Sequence, residues 1–461
     1  MSLPPVARAC LWLAEVAGEP EAEALAGSAE CAVAIVGGGF TGLWTALFLK
    51  QLAPELDVAL LEAETVAYGA SGRNAGIVGE TFDHSHALAE RHFGRREARR
   101  LATLARANLD EMETFLAERG IAAGFARTGQ LFVALRERHL EELDASLAAT
   151  RRVGIDDWRR LDREETAAEL ASPLYLGALL APRAAVVHPA RLAVGLKREA
   201  LRLGVRIHER SRVLDWRRQG DGVRLRTERG SLRARRAVLA TNAYSHRIAP
   251  RLLRRFLPLY DYVIASEPLA AADFAALDWR NRRAVTDCRT FFNYYRLSPD
   301  DRVVWGTSDA VYHAGDRVDA ECDHSPRHYA ELRASFRRHF PQLRELEFPY
   351  AWGGPICSTT RFTPFFGALD GGRVLYGLGY TGHGVGTTRV AGKILAHLAL
   401  EQRSELLELA LVRKPPLPFP PRPLRRWAVD RVTRDLRAVD AGATPTLLLR
   451  LLDRLGIGFS S

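Results

Sequence analysis

The first chemistry in the chain rests on six residues. Gly37-Gly38-Gly39-Phe40-Thr41-Gly42 follows directly on an apolar run, 31–36, and leads into Leu43-Trp44-Thr45-Ala46-Leu47-Phe48-Leu49, which reads as a helix. A second apolar run, Val58-Ala59-Leu60-Leu61, ends in Glu62. A strand, a glycine turn, a helix and a second strand closing on an acid are the parts of a dinucleotide site. Gly37 permits the tight turn, Gly39 lets a pyrophosphate approach the backbone, and Gly42 lets helix and strand pack closely. The free N–H groups at the start of the helix, at Phe40 and Thr41, suit an anion. Glu62, with Ala63 beside it, suits the hydroxyls of an adenosine ribose. An acid there argues against a 2′-phosphate.

A second loop of small residues, Gly69-Ala70-Ser71-Gly72-Arg73-Asn74-Ala75-Gly76-Ile77, begins shortly after Glu62. A nicotinamide dehydrogenase has no need of it. A flavin dinucleotide lies extended and must be met again along its diphosphate and its ring. Further on stand His188-Pro189, Ala237-Val238-Leu239-Ala240-Thr241-Asn242-Ala243-Tyr244, Trp352-Gly353-Gly354 and Gly377-Leu378-Gly379-Tyr380-Thr381-Gly382-His383-Gly384-Val385-Gly386. In this order, over roughly residues 10–400, the segments resemble the D-amino-acid oxidase, sarcosine oxidase and glycine oxidase superfamily of FAD enzymes. Within it the chain is most similar to the branch containing gamma-glutamylputrescine oxidase, with its Gly-Ala-Ser-Gly-Arg-Asn-x-Gly loop.

The resemblance implies FAD as cofactor, bound noncovalently. The cysteine position of sarcosine oxidase aligns with Gly354, with Cys357 three residues on, and the histidine position of the dimethylglycine-dehydrogenase type aligns with Arg73. It also implies that Arg73, Asn74, Ala75 and Gly76 lie along the isoalloxazine, that Val213 presents its backbone to the adenine, and that Thr241 and Asn242 end a strand near the cofactor. Thr381, Gly382, His383, Gly384, Val385 and Gly386 would bring backbone amides and a helix dipole to the N1/C2 carbonyl edge, where reduction places negative charge. Capping of their own loop is the competing reading for Arg73 and Asn74, and bracing of backbone for His383.

The implied reaction is oxidation of an amine C–N bond by hydride transfer from the α-carbon to flavin N5. The imine hydrolyses to a carbonyl, and oxygen as acceptor gives hydrogen peroxide. The lysine that promotes reaction with oxygen in monomeric sarcosine oxidase falls at Gly386, so another electron carrier is the alternative acceptor. The expected partner is a small amine or amino acid. In the family's amino-acid oxidases an arginine after Trp-x-Gly-x pairs with the substrate carboxylate. That position here is Ile356, which counts against an α-amino acid. Arg296 and Arg361 remain as candidate clamps, with a purely structural role for Arg296 equally open. Tyr260, Tyr262, Tyr294, Tyr295 and Trp352 are candidate aromatic walls, with core packing as the alternative. His383, Tyr295 and Arg296 are the candidates for a direct part in catalysis.

These residues need an α/β scaffold. The sequence predicts a discontinuous, Rossmann-like FAD-binding domain from 1–90, 180–255 and 345–400, and an α+β substrate domain with an antiparallel sheet from 91–179 and 256–344. Helical periodicity marks 95–119, 136–152 and 190–203, and strands are expected at 129–135, 205–207, 211–213, 257–267, 291–297 and 302–306. A helix over 326–340 would start at Pro326 with Ser325 as its cap. In the tail, 401–461, six prolines between Pro415 and Pro423 must run extended. A basic amphipathic helix, 424–440, and an apolar segment, 447–455, follow and would pack on the body or on another subunit.

Composition narrows the setting. Length, 461 residues, suggests two or three domains. With 47% hydrophobic and 26% charged residues the chain is ordinary globular protein, which excludes global disorder and collagen-like structure. No run nears the roughly 18 apolar residues of a spanning helix. The stretch 6–17 contains Arg8 and Glu15 and lacks a signal-peptide pattern, so a cytoplasmic protein without membrane attachment is expected. Five widely spaced cysteines without a Cys-x-x-Cys argue against a disulfide framework and a zinc site. The net charge of +10 is carried mainly by arginine, alternating with acids as in Arg95-Arg96-Glu97-Ala98-Arg99-Arg100, the pattern of a solvated face rather than a nucleic-acid surface. An RNA-modifying flavoenzyme is the remote alternative, resting on that charge alone.

Overall fold

Two eight-stranded sheets organise the chain. The computed structural model describes residue 6 and residues 9–457 apart from 83; Arg8 lies outside the described residues. The first sheet grows from the glycine fingerprint. Gly27–Val36 lies at its centre, parallel to Val58–Leu61 on one side and Gly230–Leu239 on the other, with Arg206–His208 and Val374–Leu378 beyond them. Residues 33–36 and 58–61 are all buried, as parallel strands covered on both faces must be. Phe40–Leu52 packs closely on Gly384–Leu400: a Cβ added at Gly392 would stand 2.7 Å from the main-chain carbon of Trp44. These two helices start at the two glycine loops, so their contact fixes one loop relative to the other.

The second sheet runs Tyr350–Ser358, Leu257–Pro268, Arg302–Val311, Asn293–Leu297, Ala284–Asp287, Gln130–Ala134, Gly177–Ala181, Arg159–Leu161. All its pairings are antiparallel except Ala284–Asp287 with Gln130–Ala134. Pro326–His339 packs on its back, where Tyr260, Tyr262, Tyr295, Trp305, Phe336 and Phe340 form an aromatic core. Tyr350–Ser358, grouped by sequence with the cofactor segments, belongs here because it pairs along Leu257–Pro268 from Leu257↔Ser358 to Ala265↔Tyr350. Arg95–Glu118 buries Leu101, Ala105, Leu109, Met112 and Leu116 in the core of the first sheet.

Most predicted elements form within a residue or two of their expected ends. Residues 211–213 are not a strand. The Ser211 N–H donates to the Glu62 carbonyl at 2.7 Å and Leu214 N–H to Arg226 at 2.8 Å, so the chain crosses a strand end instead of extending the sheet. Pro326 opens its helix, but Ser325 hydrogen-bonds His328 Nδ1 at 2.6 Å and does not cap.

The tail packs on the body. Phe419 N–H donates to the Arg254 carbonyl at 2.8 Å. The buried Asp316 accepts from Arg422 at 2.6 Å and Arg425 at 2.9 Å. At the far end of the helix Leu424–Asp440, the Asp440 carboxylate accepts the N–H groups of Thr290 and Phe291 at 2.9 and 3.0 Å.

Candidate active site

The fingerprint turn is held by backbone. Gly37 has φ +112°, in the region that favours glycine, and its N–H donates to the Leu61 carbonyl at 2.8 Å. Gly39 precedes the first turn of Phe40–Leu52, where Thr41 Oγ1 donates to Tyr380 Oη at 2.8 Å. A Cβ at Gly42 would sit on the Gly37 carbonyl oxygen, with Ile35 Cγ2 at 3.2 Å. Glu62, followed by Ala63, accepts Gly38 N–H at 2.6 Å and Glu64 N–H at 2.9 Å, and burial pushes its carboxyl upward. The cradle therefore has bare backbone on one side, an acid on the other and a helix start between them. A dinucleotide fits it.

The second loop continues this wall. Gly69 precedes the short helix Ala70–Arg73, Ser71 Oγ accepts the Phe40 N–H at 2.9 Å, and Ile77 opens the strand Ile77–Val78. Asn74 is used within the loop: Nδ2 donates to Ala70 and Ser71 carbonyls at 2.9 and 3.0 Å, and Oδ1 accepts Gly76 N–H at 2.7 Å. Arg73 pairs with Asp323 at 2.8 Å and donates to the Tyr68 carbonyl at 2.7 Å, leaving Nη2 without a partner. Asn242, past the end of Gly230–Leu239, accepts Gly379 N–H at 3.2 Å, which ties it and the neighbouring Thr241 to the glycine-rich segment 377–386. Val213 is buried in the core around the first sheet.

A cavity of about 610 Å³ opens between these loops and the second sheet. Ala70 and Arg73 to Ile77 form one side, and Thr381, Gly382, His383, Val385 and Gly386 form another, at the start of Gly384–Leu400. The front of Leu257–Pro268 contributes Leu257, Leu259, Asp261 and Val263, and Ile356 sits beside them. The tail supplies a roof that includes Val432, Leu436, Leu448 and Leu452. Its size suits a small-molecule site.

Several predicted substrate residues lie elsewhere. Strand alternation turns Tyr260, Tyr262 and Tyr295 to the back of the second sheet, into its aromatic core, so they do not wall the cavity. Trp352 is buried below the loop, and its Nε1 donates to the Arg73 carbonyl at 2.8 Å. Of the five aromatics, Tyr294 lines the cavity, next to Phe292. Arg296 is not a free clamp: it donates to the carbonyls of Ala75 and of Val187 and Leu297 (2.7 and 3.2 Å), below the loop, and burial pushes it down to about 9. Arg361 is likewise consumed by the Lys414, Pro364 and Leu411 carbonyls.

Sequence reasoning passed over His84 and Asp261, both of which line the cavity. The rings of His84 and His383 stand 4.3 Å apart, and His84 Nε2 lies 2.8 Å from the Thr381 carbonyl. Burial lowers both, His84 to about 3. His383 also lies 3.4 Å from that carbonyl, in keeping with a bracing role. Among the described residues no group of three or more acids, histidines and cysteines is placed to hold a metal, and no helix is long and apolar enough to cross a membrane.

Residues 32–398 match the DAO family, FAD dependent oxidoreductase. Gamma-glutamylputrescine oxidoreductase of Escherichia coli (strain K12) is 33% identical over 85% of this chain and 88% of its own length. A probable oxidoreductase, OrdL, of Rhizobium meliloti (strain 1021) is 31% identical over 90% and 94%. Glycine oxidase from Geobacillus kaustophilus has the same fold, with a TM-score of 0.69 at 22% identity over 84% of this chain and 99% of that one. L-Proline dehydrogenase from P. horikoshii superposes with a TM-score of 0.68 at 17% identity, over 82% and 96%. With the fingerprint, the second loop and a match over most of its length, the chain belongs to the DAO family of FAD-dependent oxidoreductases.

Proposed function

We propose that the protein oxidises the C–N bond of a primary or secondary amine in the cavity between the glycine loops and the second sheet. Gly37, Gly39, Phe40, Thr41, Gly42, Glu62 and Ala63 would hold the ADP half of FAD. Residues 69–77, Val213, Thr241, Asn242 and 381–386 would hold the rest. The bound cofactor supplies a two-electron acceptor. The protein's part is to bind the amine, orient its α-C–H and keep water out. The apolar roof from the tail serves that exclusion. For a primary amine the net change is R–CH2–NH2 + O2 + H2O giving R–CHO + NH3 + H2O2.

One observation carries the choice of amine over α-amino acid. Ile356 lines the cavity where the family's amino-acid oxidases have an arginine, and Arg296 and Arg361 are spent on main-chain carbonyls. Arg73, the remaining arginine on the wall, is neutralised by Asp323. A substrate carboxylate would lack the bidentate partner that makes such recognition strong. Noncovalent FAD is supported by Cys357, whose side chain lies in the core around the first sheet.

The test is anaerobic bleaching of the purified yellow protein with a panel of amines, γ-glutamylputrescine among them, against glycine, sarcosine and D-alanine. Bleaching by amines, with peroxide formed on admitting air, is the expected result. Bleaching by the amino acids alone would overturn the reading. Acid precipitation should leave the flavin in the supernatant.

A further inference from the structure

Among the described residues, one carboxylate in the cavity has no answering charge. Asp261 lies on the cavity face of Leu257–Pro268, and its Oδ1 is sealed from solvent without a hydrogen-bond partner. Among the described residues the other acids on the wall are accounted for: Glu80 lies 3.2 Å from Arg106, Asp287 lies 2.7 Å from Arg289, and Glu142 is solvated. A carboxylate oxygen sealed from water without a partner is costly unless something completes it.

The strands on either side make room for that something. Leu257–Pro268 pairs with Arg302–Val311 at Tyr260↔Val311 and at Tyr262↔Thr307, so residues 308–310 bulge out opposite Asp261, with Ala310 at φ +48°. On the other side Asp261 is paired with Gly354, which has no side chain. Directly opposed residues project to the same face of a sheet, and a Cβ at Gly354 would lie 3.3 Å from Arg73 Cδ. Asp261 therefore looks onto the Ala70–Arg73 side of the cavity, between a glycine and a bulge. Tyr294 lines the same cavity close enough for the Asp261 charge to reach it, and Phe292 stands 6.2 Å from Tyr294 ring to ring. Aromatic faces beside a carboxylate favour a cation.

We propose that Asp261 binds the reacting amine in its ammonium form and takes the proton that must leave before the α-C–H is oxidised. One N–H bond breaks, one carboxyl O–H bond forms, and the nitrogen lone pair is freed, with no change in oxidation state. This rests on the amine reading above and names the residue that would give it charge selectivity.

The surroundings agree. Burial and the like charge of Asp309 push Asp261 up to about 8, with the Ala310 amide opposing them. Asp309 is itself pushed up by burial and by Glu331, against Arg437, His328 and Arg289 nearby, whereas among the described residues no cation neighbours Asp261. Burial disfavours the charged form of His84 and His383, which also line the cavity. Ammonium binding should therefore strengthen as pH rises toward about 8, because it needs the ionised carboxylate.

The experiment uses tert-butylammonium, which has no α-C–H and cannot be oxidised, with tert-butanol and trimethylacetate as neutral and anionic counterparts. Each is titrated into the FAD-loaded protein and read by the flavin spectrum and the melting temperature. Saturable binding of the ammonium, weakened about tenfold or more in Asp261→Asn and retained in Asp261→Glu, with tert-butanol indifferent to either change, would support the proposal. It is overturned if the wild type shows no saturable response to the ammonium, if Asp261→Asn binds it equally well, or if trimethylacetate binds better. FAD content of the variants verifies folding. Asp261-dependent ammonium binding in a protein that no amine bleaches would sink the amine-oxidase reading alone. Unimpaired bleaching of Asp261→Asn by amines would sink this proposal alone.

Discussion

Gly39→Ala and Gly42→Ala add the same methyl group three residues apart, one just before the helix and one in its first turn, and their consequences should differ. The Cβ at position 39 would stand 2.8 Å from Ser71 Oγ, and its next neighbour, Ser71 Cβ, is 3.8 Å away. A hydroxyl can rotate aside, at the cost of the hydrogen bond it accepts from Phe40 N–H, about 1 kcal/mol. At position 42 the methyl meets backbone and core: the Gly37 carbonyl, whose carbon is 3.2 Å away, and Ile35 Cγ2 at 3.2 Å. Nothing there rotates, and Gly37 at φ +112° has little freedom to shift. Overpacking of this kind costs about 1–3 kcal/mol, and each kcal/mol is about 2–4 °C in a domain of 150–250 residues. Gly42→Ala should melt about 2–12 °C lower and lose FAD, with no rescue by Ser71→Ala. Gly39→Ala should stay near the parent melting temperature as apoprotein and still bind FAD poorly. Adding Ser71→Ala should not restore binding, because the methyl stands where the pyrophosphate approaches. Apoprotein is titrated with FAD by flavin fluorescence, alongside thermal melts. Recovery of full affinity in the Gly39→Ala/Ser71→Ala pair would refute the pyrophosphate placement, and a normal Gly42→Ala protein would refute the packing argument.

Burial holds His84 at about 3 and His86 at about 4, below 6.5, so on acidification the unfolded chain takes up protons that the folded one refuses. Stability should fall as pH drops from 6.5 toward 4, by up to about 1.4 kcal/mol per unit for each histidine, and melts across that range should show a shallower slope in His84→Phe. Arg296→Leu should lower the melting temperature, since it strips donors from the buried carbonyls of Ala75, Val187 and Leu297 at about 1–3 kcal/mol for each group left unsatisfied. The relative rates of flavin bleaching by amines and amino acids should stay as they were; a shift toward amines would reinstate Arg296 as a clamp. Removing residues 424–461 should keep FAD bound but expose the cavity, read as stronger iodide quenching of flavin fluorescence.

The nucleotide half of the fold was legible because its signals are local. The turn from Gly37 to Gly42, the apolar strand before it and Glu62 after the next strand each carry their meaning within a few residues. The second sheet was legible as strands but not as faces. Leu257–Pro268 has apolar or aromatic residues on both sides, because one face meets Pro326–His339 and the other the cofactor loops. Alternation of polarity, the usual guide to orientation, is therefore weak. Sequence alone therefore does not tell that Tyr260 and Tyr262 face the core and Asp261 between them the cavity. Arg296 was ambiguous for another reason: its carbonyl partners Ala75 and Val187 are 221 and 109 residues away in sequence. His84 lies in a polar loop with no periodicity, and its partner His383 comes from the other end of the family segment.

The roof lies outside the segment that matches the family. The family match ends at residue 398, yet Val432, Leu436, Leu448 and Leu452 close the cavity from beyond it. The roof is fastened by side chains that belong to neither glycine loop, through Asp316 near its start and Asp440 near the middle. Cofactor binding and the outer shape of the pocket can thus be altered independently. A chimera that keeps residues up to 423 and exchanges only the following helices should change which substrates fit while leaving the glycine loops untouched, so this tail is the natural place to engineer a new substrate range.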